Sequence, residues 1–192
     1  MLAWHAAPCY SSGVNAPQHT TAFHLSYDGH EDRILIAVDV DAERRYAMGL
    51  TRRLAKLVLA SLAELSAKRS ASAVGADPRH HDTLLTFEHS SAVEAAFASG
   101  DTKRHQPAKP LVQPARPVHE VKLTPRDSGD ILISFDDQQR TLTLDLGPAR
   151  IHSFMAGILD LAAQAGWDLP VIAAWLEHAG TSETTGAARV VH

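Results

Sequence analysis

The sequence predicts an α+β fold of two tandem βββα units, each an antiparallel three-stranded meander followed by a helix, forming a pseudo-two-fold body. Three observations carry this expectation. Apolar residues alternate with polar ones in short runs and then change to three- and four-residue spacing, first over residues 23–65 and again over 118–162. Ile34, Leu35, Ile36 and Asp39 recur 97 positions later as Ile131, Leu132, Ile133 and Asp136, and Arg53 and Leu62 recur at the same spacing as Arg150 and Leu159. Self-similarity at a fixed spacing is the mark of a repeated structural unit. Turn and cap residues, finally, stand where each change of period needs them.

Residues 1–21 lack an apolar period and are rich in Ser, Thr, Asn, Gln and Pro, which predicts a flexible N-terminal arm with Trp4 and Tyr10 as its candidate anchors. The first unit, with its additions, spans 22–99. Phe23, Leu25 and Tyr27 form one half-buried strand, Asp28-Gly29 makes a hairpin turn, and Ile34, Ile36 and Val38 form the second strand. Tyr46, Met48 and Leu50 give a third. Thr51 then caps a helix whose inner face is Leu54, Leu57, Val58, Ser61, Leu62 and Leu65. Residues 67–79 read as a loop, Thr83 to Glu88 as an extra strand, and Ala92 to Ala98 as a short helix capped by Ser90 or Ser91 with Glu94 closing a capping box.

Residues 100–117 hold four prolines and four Lys or Arg side chains, the composition of an extended linker. The second unit spans 118–179. Val121 and Leu123, a turn from Pro125 to Gly129, then Ile131, Ile133 and Phe135 repeat the hairpin, and Leu142, Leu144 and Leu146 supply the third strand. Gly147-Pro148 opens a helix, since proline is tolerated where the first amides lack partners. Its inner face is Ile151, Phe154, Met155, Ile158, Leu159 and Ala162. Gly166 ends it, and Asp168 and Pro170 introduce a last short helix carrying Val171, Ile172, Trp175 and Leu176. Residues 180–192 read as a flexible tail. The third strands agree in inside–outside parity only at a spacing of 96, so the turn before them must absorb one residue, to be recovered before the helix.

With 18 Lys plus Arg against 22 Asp plus Glu, the net charge of −4 offers no whole-molecule attraction to phosphates or anionic lipid. No apolar run approaches the length of a membrane span, and the N-terminus lacks the charged start and apolar stretch of a signal peptide, so a cytoplasmic protein is expected. The single Cys9 has no internal disulfide partner.

Candidate chemistry is sparse. Arg52, Arg53 and Lys56 cluster at the start of the first helix and Lys68 and Arg69 follow at its end, a stripe that fits a nucleic-acid backbone. Within the linker, Pro107, Lys109 and Pro110, then Pro114, Arg116 and Pro117, have the PxxP form of a polyproline ligand. His80, His81 and His89 are the densest histidines, but their spacing does not converge three ligands, so no metal and no cofactor are expected. Asp39 and Asp136 close the second strands, where a carboxylate usually accepts turn amides; with His152 they are the nominal acid–base candidates of a site between the halves. No nucleophile-elbow, phosphate-loop or dinucleotide motif occurs. The leading expectation is a non-catalytic scaffold or interaction protein that binds another protein or self-associates. The alternatives are a nucleic-acid accessory factor and, third, a small enzyme.

Overall fold

The computed structural model describes residues 18–20, 22–70, 72–73, 75–98, 109–169 and 172–177. Within them the chain is an α+β protein with two four-stranded sheets. One is built on the meander β2 (His24–Asp28), β3 (Arg33–Asp39) and β4 (Arg45–Leu50), the other on β6 (Glu120–Pro125), β7 (Ile131–Asp136) and β8 (Thr141–Leu146). A short parallel strand completes each: β5 (Arg116–Pro117) lies along β4, and β1 (Gln18–Thr20) lies along β8.

Alternation sets the buried faces. Ile34, Ile36 and Val38 of β3 and Ile131, Ile133 and Phe135 of β7 are all sealed from solvent. The hairpin at Asp28 forms as the turn residues require, with Asp28 accepting the amides of His30 and Glu31. Asp32, rather than Gly29, takes the left-handed backbone there, with φ 50°. In the corresponding turn of the other meander that conformation falls to Gly129, with φ 96°.

Each meander leads into a helix. Thr51 caps α1 (Arg52–Arg69) by accepting the Leu54 amide, and Gly147 precedes α3 (Pro148–Gln164), with Pro148 in its first turn. Gly166 ends α3 in a left-handed cap, with the amides of Gly166 and Trp167 bonded to the carbonyls of Ala163 and Ala162. The remaining helices are α2 (His81–Ala98) and α4 (Ala174–Glu177). One continuous apolar core joins the sheets and helices, from Ile36, Met48 and Leu59 to Ile133, Phe135 and Phe154. Helix α3 packs on β2 and β3 of the other meander as well as on β8, and α1 reaches β6. At Gly157 a Cβ would come within 2.8 Å of Leu25 Cδ1, so α3 approaches β2 closely only because that side chain is absent.

The structure corrects several expectations. The segment 83–98 is part of one helix, α2, not a strand followed by a short helix. The six residues Thr83 to Glu88 are too short a run to separate the two periods. Leu85 and His89, four apart, are the positions that become buried, while β5 already occupies the free edge of β4. Helix α1 continues to Arg69, three residues into the expected loop. Residues 18–20 of the expected arm are a strand, and residues 109–117 of the expected linker are fastened along β4. Asp168 does not cap α4, which starts later, at Ala174. Residues 1–17, 100–108 and 180–192, with Trp4, Cys9, Tyr10 and Pro107, lie outside the described residues.

The alignment between the units also changes. The β3–β4 turn occupies residues 40–44 and the β7–β8 turn 137–140, so the first is one residue longer. That extra residue explains the spacing of 96 for the third strands, but it is not recovered before the helix. The caps Thr51 and Gly147 keep the shift, and so do the buried pairs Ala55 and Ile151, Val58 and Phe154, Leu59 and Met155, and Leu62 and Ile158. At a spacing of 97 the exposed Leu57 would have to match the buried Phe154. The identities of Arg53 with Arg150 and Leu62 with Leu159 therefore do not mark equivalent positions. A helix face is fixed by where the chain leaves the preceding strand.

Candidate functional site

The basic residues at the start of α1 line a cleft. Thr51 orients the first turn, which leaves Arg52, Arg53 and Lys56 on the outer side of a helix whose inner side is Ala55, Val58 and Leu59. These three cations, with Asp168 and Leu169 from the chain beyond α3, surround about 440 Å³ of open space. Arg52 is fixed in place, its Nη2 donating to the Asp168 carbonyl at 2.5 Å. Positive charge at a helix start opposes the helix dipole, so an anion here would be favoured by the three cations and the dipole and opposed by the Asp168 carboxylate on the same lining.

Lys68 and Arg69 do not belong to this cleft. They stand at the far end of α1, about 24 Å away at 1.5 Å per helical residue. There Lys68 pairs with Glu64 at 2.5 Å and Arg69 donates to the Arg126 carbonyl. The continuous stripe is thus two separate groups, and the first lines the cleft.

The described linker residues make contacts within the chain. Lys109 Nζ lies 2.8 Å from Asp39, Arg45 and Pro110 share a backbone hydrogen bond, and Arg116 and Pro117 form β5. A polyproline ligand must offer its backbone and rings to a partner, whereas Pro110 and Pro114 flank backbone that is already pinned to β4.

Asp39 and Asp136 have different surroundings. Asp136 accepts the Gln138 amide and the Thr141 hydroxyl, as expected of a turn carboxylate. In the other meander that task falls to Asp41, which accepts the amides of Glu43 and Arg44. Asp39 instead gathers Arg45 Nε at 2.8 Å, Lys109 Nζ at 2.8 Å and His24 Nε2 at 3.5 Å. Burial alone would raise its carboxyl; hydrogen bonds from Lys109 and Arg45 hold it at about 2. Between the sheets, the fully buried Asp137 accepts the Tyr46 hydroxyl at 3.3 Å, and Arg116 Nε lies 3.2 Å from it. Burial and the Asp137 charge push the Tyr46 phenol up to about 12. Among the described residues, no hydrogen bond links Asp39, Asp136 and His152 to one another.

His152 belongs to a group that sequence reasoning missed. Its Nδ1 lies 2.9 Å from Nδ1 of His89, joining α3 to α2, and both rings are buried. The Trp175 indole of α4 meets both edge to face. Next to the pair, Glu88 accepts the hydroxyls of Ser70 at 2.5 Å and Ser72 at 2.8 Å. Burial, with the neighbouring His152, lowers His89 to about 4; burial lowers His152 too, against the pull of Glu88. Reading 81–98 as one helix would have found His89, since Leu85, His89 and Val93 then share a face. His80 and His81 remain at the start of α2, away from this pair. Among the described residues, no three His, Cys, Asp or Glu side chains are grouped to hold a metal ion, and no helix is long and apolar enough to cross a membrane.

Comparison of the chain with protein-family models, curated proteins and solved structures finds no match.

Proposed function

We propose that this chain is a non-catalytic, cytoplasmic binding protein in which two copies of a βββα unit make a pseudo-two-fold body that docks another protein or a second copy of itself. The duplication reading is supported by the reciprocal edge strands. Thr20, just before the first meander, pairs in parallel with Leu144, and Arg116, just before the second, pairs in parallel with Met48. Both partners sit 96 residues apart, the spacing of the third strands and helices. An isologous dimer has the same exchange built from two chains.

The single observation that carries the binding reading is Phe87. It stands 74% exposed on α2. Aromatic anchors dominate binding energy at protein interfaces, so an exposed phenylalanine on a helix face is the position where a partner would gain most. Sedimentation equilibrium of the full chain, beside affinity capture with the wild type and Phe87→Ser as baits, tests this. The expected result is self-association or a captured partner that Phe87→Ser loses at unchanged helix content. A strictly monomeric wild type whose captured proteins match those of the variant removes the reading.

One observation favours a second reading, the cleft of Arg52, Arg53 and Lys56, which fits a phosphate-bearing ligand such as single-stranded nucleic acid. Three phosphate contacts correspond to a slope of about −2 in log K against log salt. Titration of a fluorescent oligonucleotide should give that slope, falling by about 0.7 in Lys56→Ala. Binding that ignores both salt and the substitution removes this alternative.

A further inference from the structure

Helix α2 reaches the rest of the molecule through α3 and α4. Of its described side chains Leu85 and His89 are buried, and Glu88 bonds to Ser70 and Ser72, so the histidine is one of a few anchors of the helix. We propose that the His89–His152 pair is a latch that keeps α2 and α4 seated on α3 at neutral pH and releases them in mildly acidic solution, uncovering the outer side of α3.

The chemistry lies in the facing Nδ1 atoms, 2.9 Å apart. Two neutral imidazoles satisfy this geometry when one ring donates its Nδ1 proton and the other accepts. A proton added to the accepting nitrogen places N–H against N–H, and a second charge sets two cations side by side in an interior that solvates neither. Few groups relieve this. From α2 the facing charge is Glu88, which acts on His152 but is already held by the hydroxyls of Ser70 and Ser72. From α3 the pair meets no further charge, and from α4 it meets the uncharged edge of Trp175.

The sign follows from the lowered folded-state values. The released histidines titrate near 6.5, whereas His89 in place titrates at about 4. The released form therefore binds more protons between those values, and the latch is at full strength above pH 6.5 and weakens as the pH falls towards 4. The sheets contain no such pair in their cores, so the loss is local to α2 and α4. This inference is independent of whether Phe87 docks a partner.

Hydrogen exchange of the full chain, read by mass spectrometry at pH 7.5, 6 and 5 and corrected for intrinsic exchange, tests it. Protection of residues 81–98 should fall by about tenfold or more between pH 6.5 and 5, as uptake of one proton dictates, while β3 and β7 keep theirs. In the double variant His89→Gln/His152→Gln that dependence should disappear, while each single variant keeps the share of its remaining buried ring. Should the double variant not fold, NMR titration of the two wild-type imidazoles decides, because α2 must lose protection in step with their protonation. Equal protection at pH 7.5 and 5, simultaneous loss from α2 and the sheets, a dependence that survives in the double variant, or a loss out of step with the rings would each overturn the latch.

Discussion

Helices α1 and α3 leave their meanders in the same way, from an extended cap onto a buried stripe, yet they end in different environments. Helix α3 is buried more widely, from Ile151 through Met155, and then at Ile158 and Ala162. Helix α1 buries the narrower stripe of Ala55, Val58, Leu59, Leu62 and Ala63 and leaves its basic first turn beside an open cleft. The difference does not come from the shared pattern. It comes from α2, which packs on α3, and from α4, whose Trp175 meets His152, and together they cover the outer side of α3. A neutral histidine pair suits a covered helix, and a cluster of cations suits an uncovered one. Similar local sequence patterns therefore yielded one sealed joint and one accessible surface.

The comparison is sharpest at the helix register. Phe154 lies fully buried against Phe23 and Phe135, and Phe154→Ala should cost about 3–5 kcal/mol in urea denaturation. Val58, its counterpart at a spacing of 96, should cost about 1–2 kcal/mol when cut to Ala. Leu57, the counterpart at 97, is 51% exposed and should change stability by no more than about 0.5 kcal/mol. A larger loss at Leu57 than at Val58 would restore the original alignment.

The helix ends offer a second comparison. Beyond α3, Trp167 Nε1 donates to Asp32 at 2.7 Å, where the Tyr27 hydroxyl also donates at 2.7 Å, whereas α1 ends on the Arg69 bond to the Arg126 carbonyl. Trp167 is buried and Arg69 is exposed. Trp167→Ala should lower the urea midpoint clearly and Arg69→Ala only slightly, and the reverse order would show that the exposed tether matters more.

A smaller effect separates the two titrating groups. Asp39, held at about 2, contributes stability that is complete above its unfolded value of 3.8 and is lost as the pH falls towards 2. Asp39→Asn should thus flatten the stability profile below pH 4 and, because Asp39 also raises His24, shift the contribution of His24 at higher pH. Thermal melts across pH 2–7 read both intervals, and an acid limb unchanged in Asp39→Asn would show that the bonds from Arg45 and Lys109 add no stability.

Much of the local structure was legible because it depends on neighbours in sequence. The alternation of Ile34, Ile36 and Val38, the cap at Thr51, the Gly147-Pro148 start and the Gly166 stop each act within a few residues. Helix α2 was not legible, since Thr83 to Glu88 satisfies both periods and the choice rests on whether a strand edge or a helix surface is waiting. The cleft was half legible. Its cations could be named, but Asp168 and Leu169, more than a hundred residues later, could not be foreseen beside them. The histidine pair was out of reach for the same reason, because neither ring has a reason to be neutral until the other covers it.

By itself the sequence determined the α+β class, the two meanders, the helices that follow them and most of their inward faces, because side-chain period and turn chemistry are properties of a short stretch of chain. Tertiary structure alone decided that residues 18–20 and 116–117 become edge strands, that α2 is a helix, that His89 meets His152, and that three of five basic residues share a cleft. Each of those outcomes depends on which surfaces become available once distant segments pack, and no local pattern carries that information.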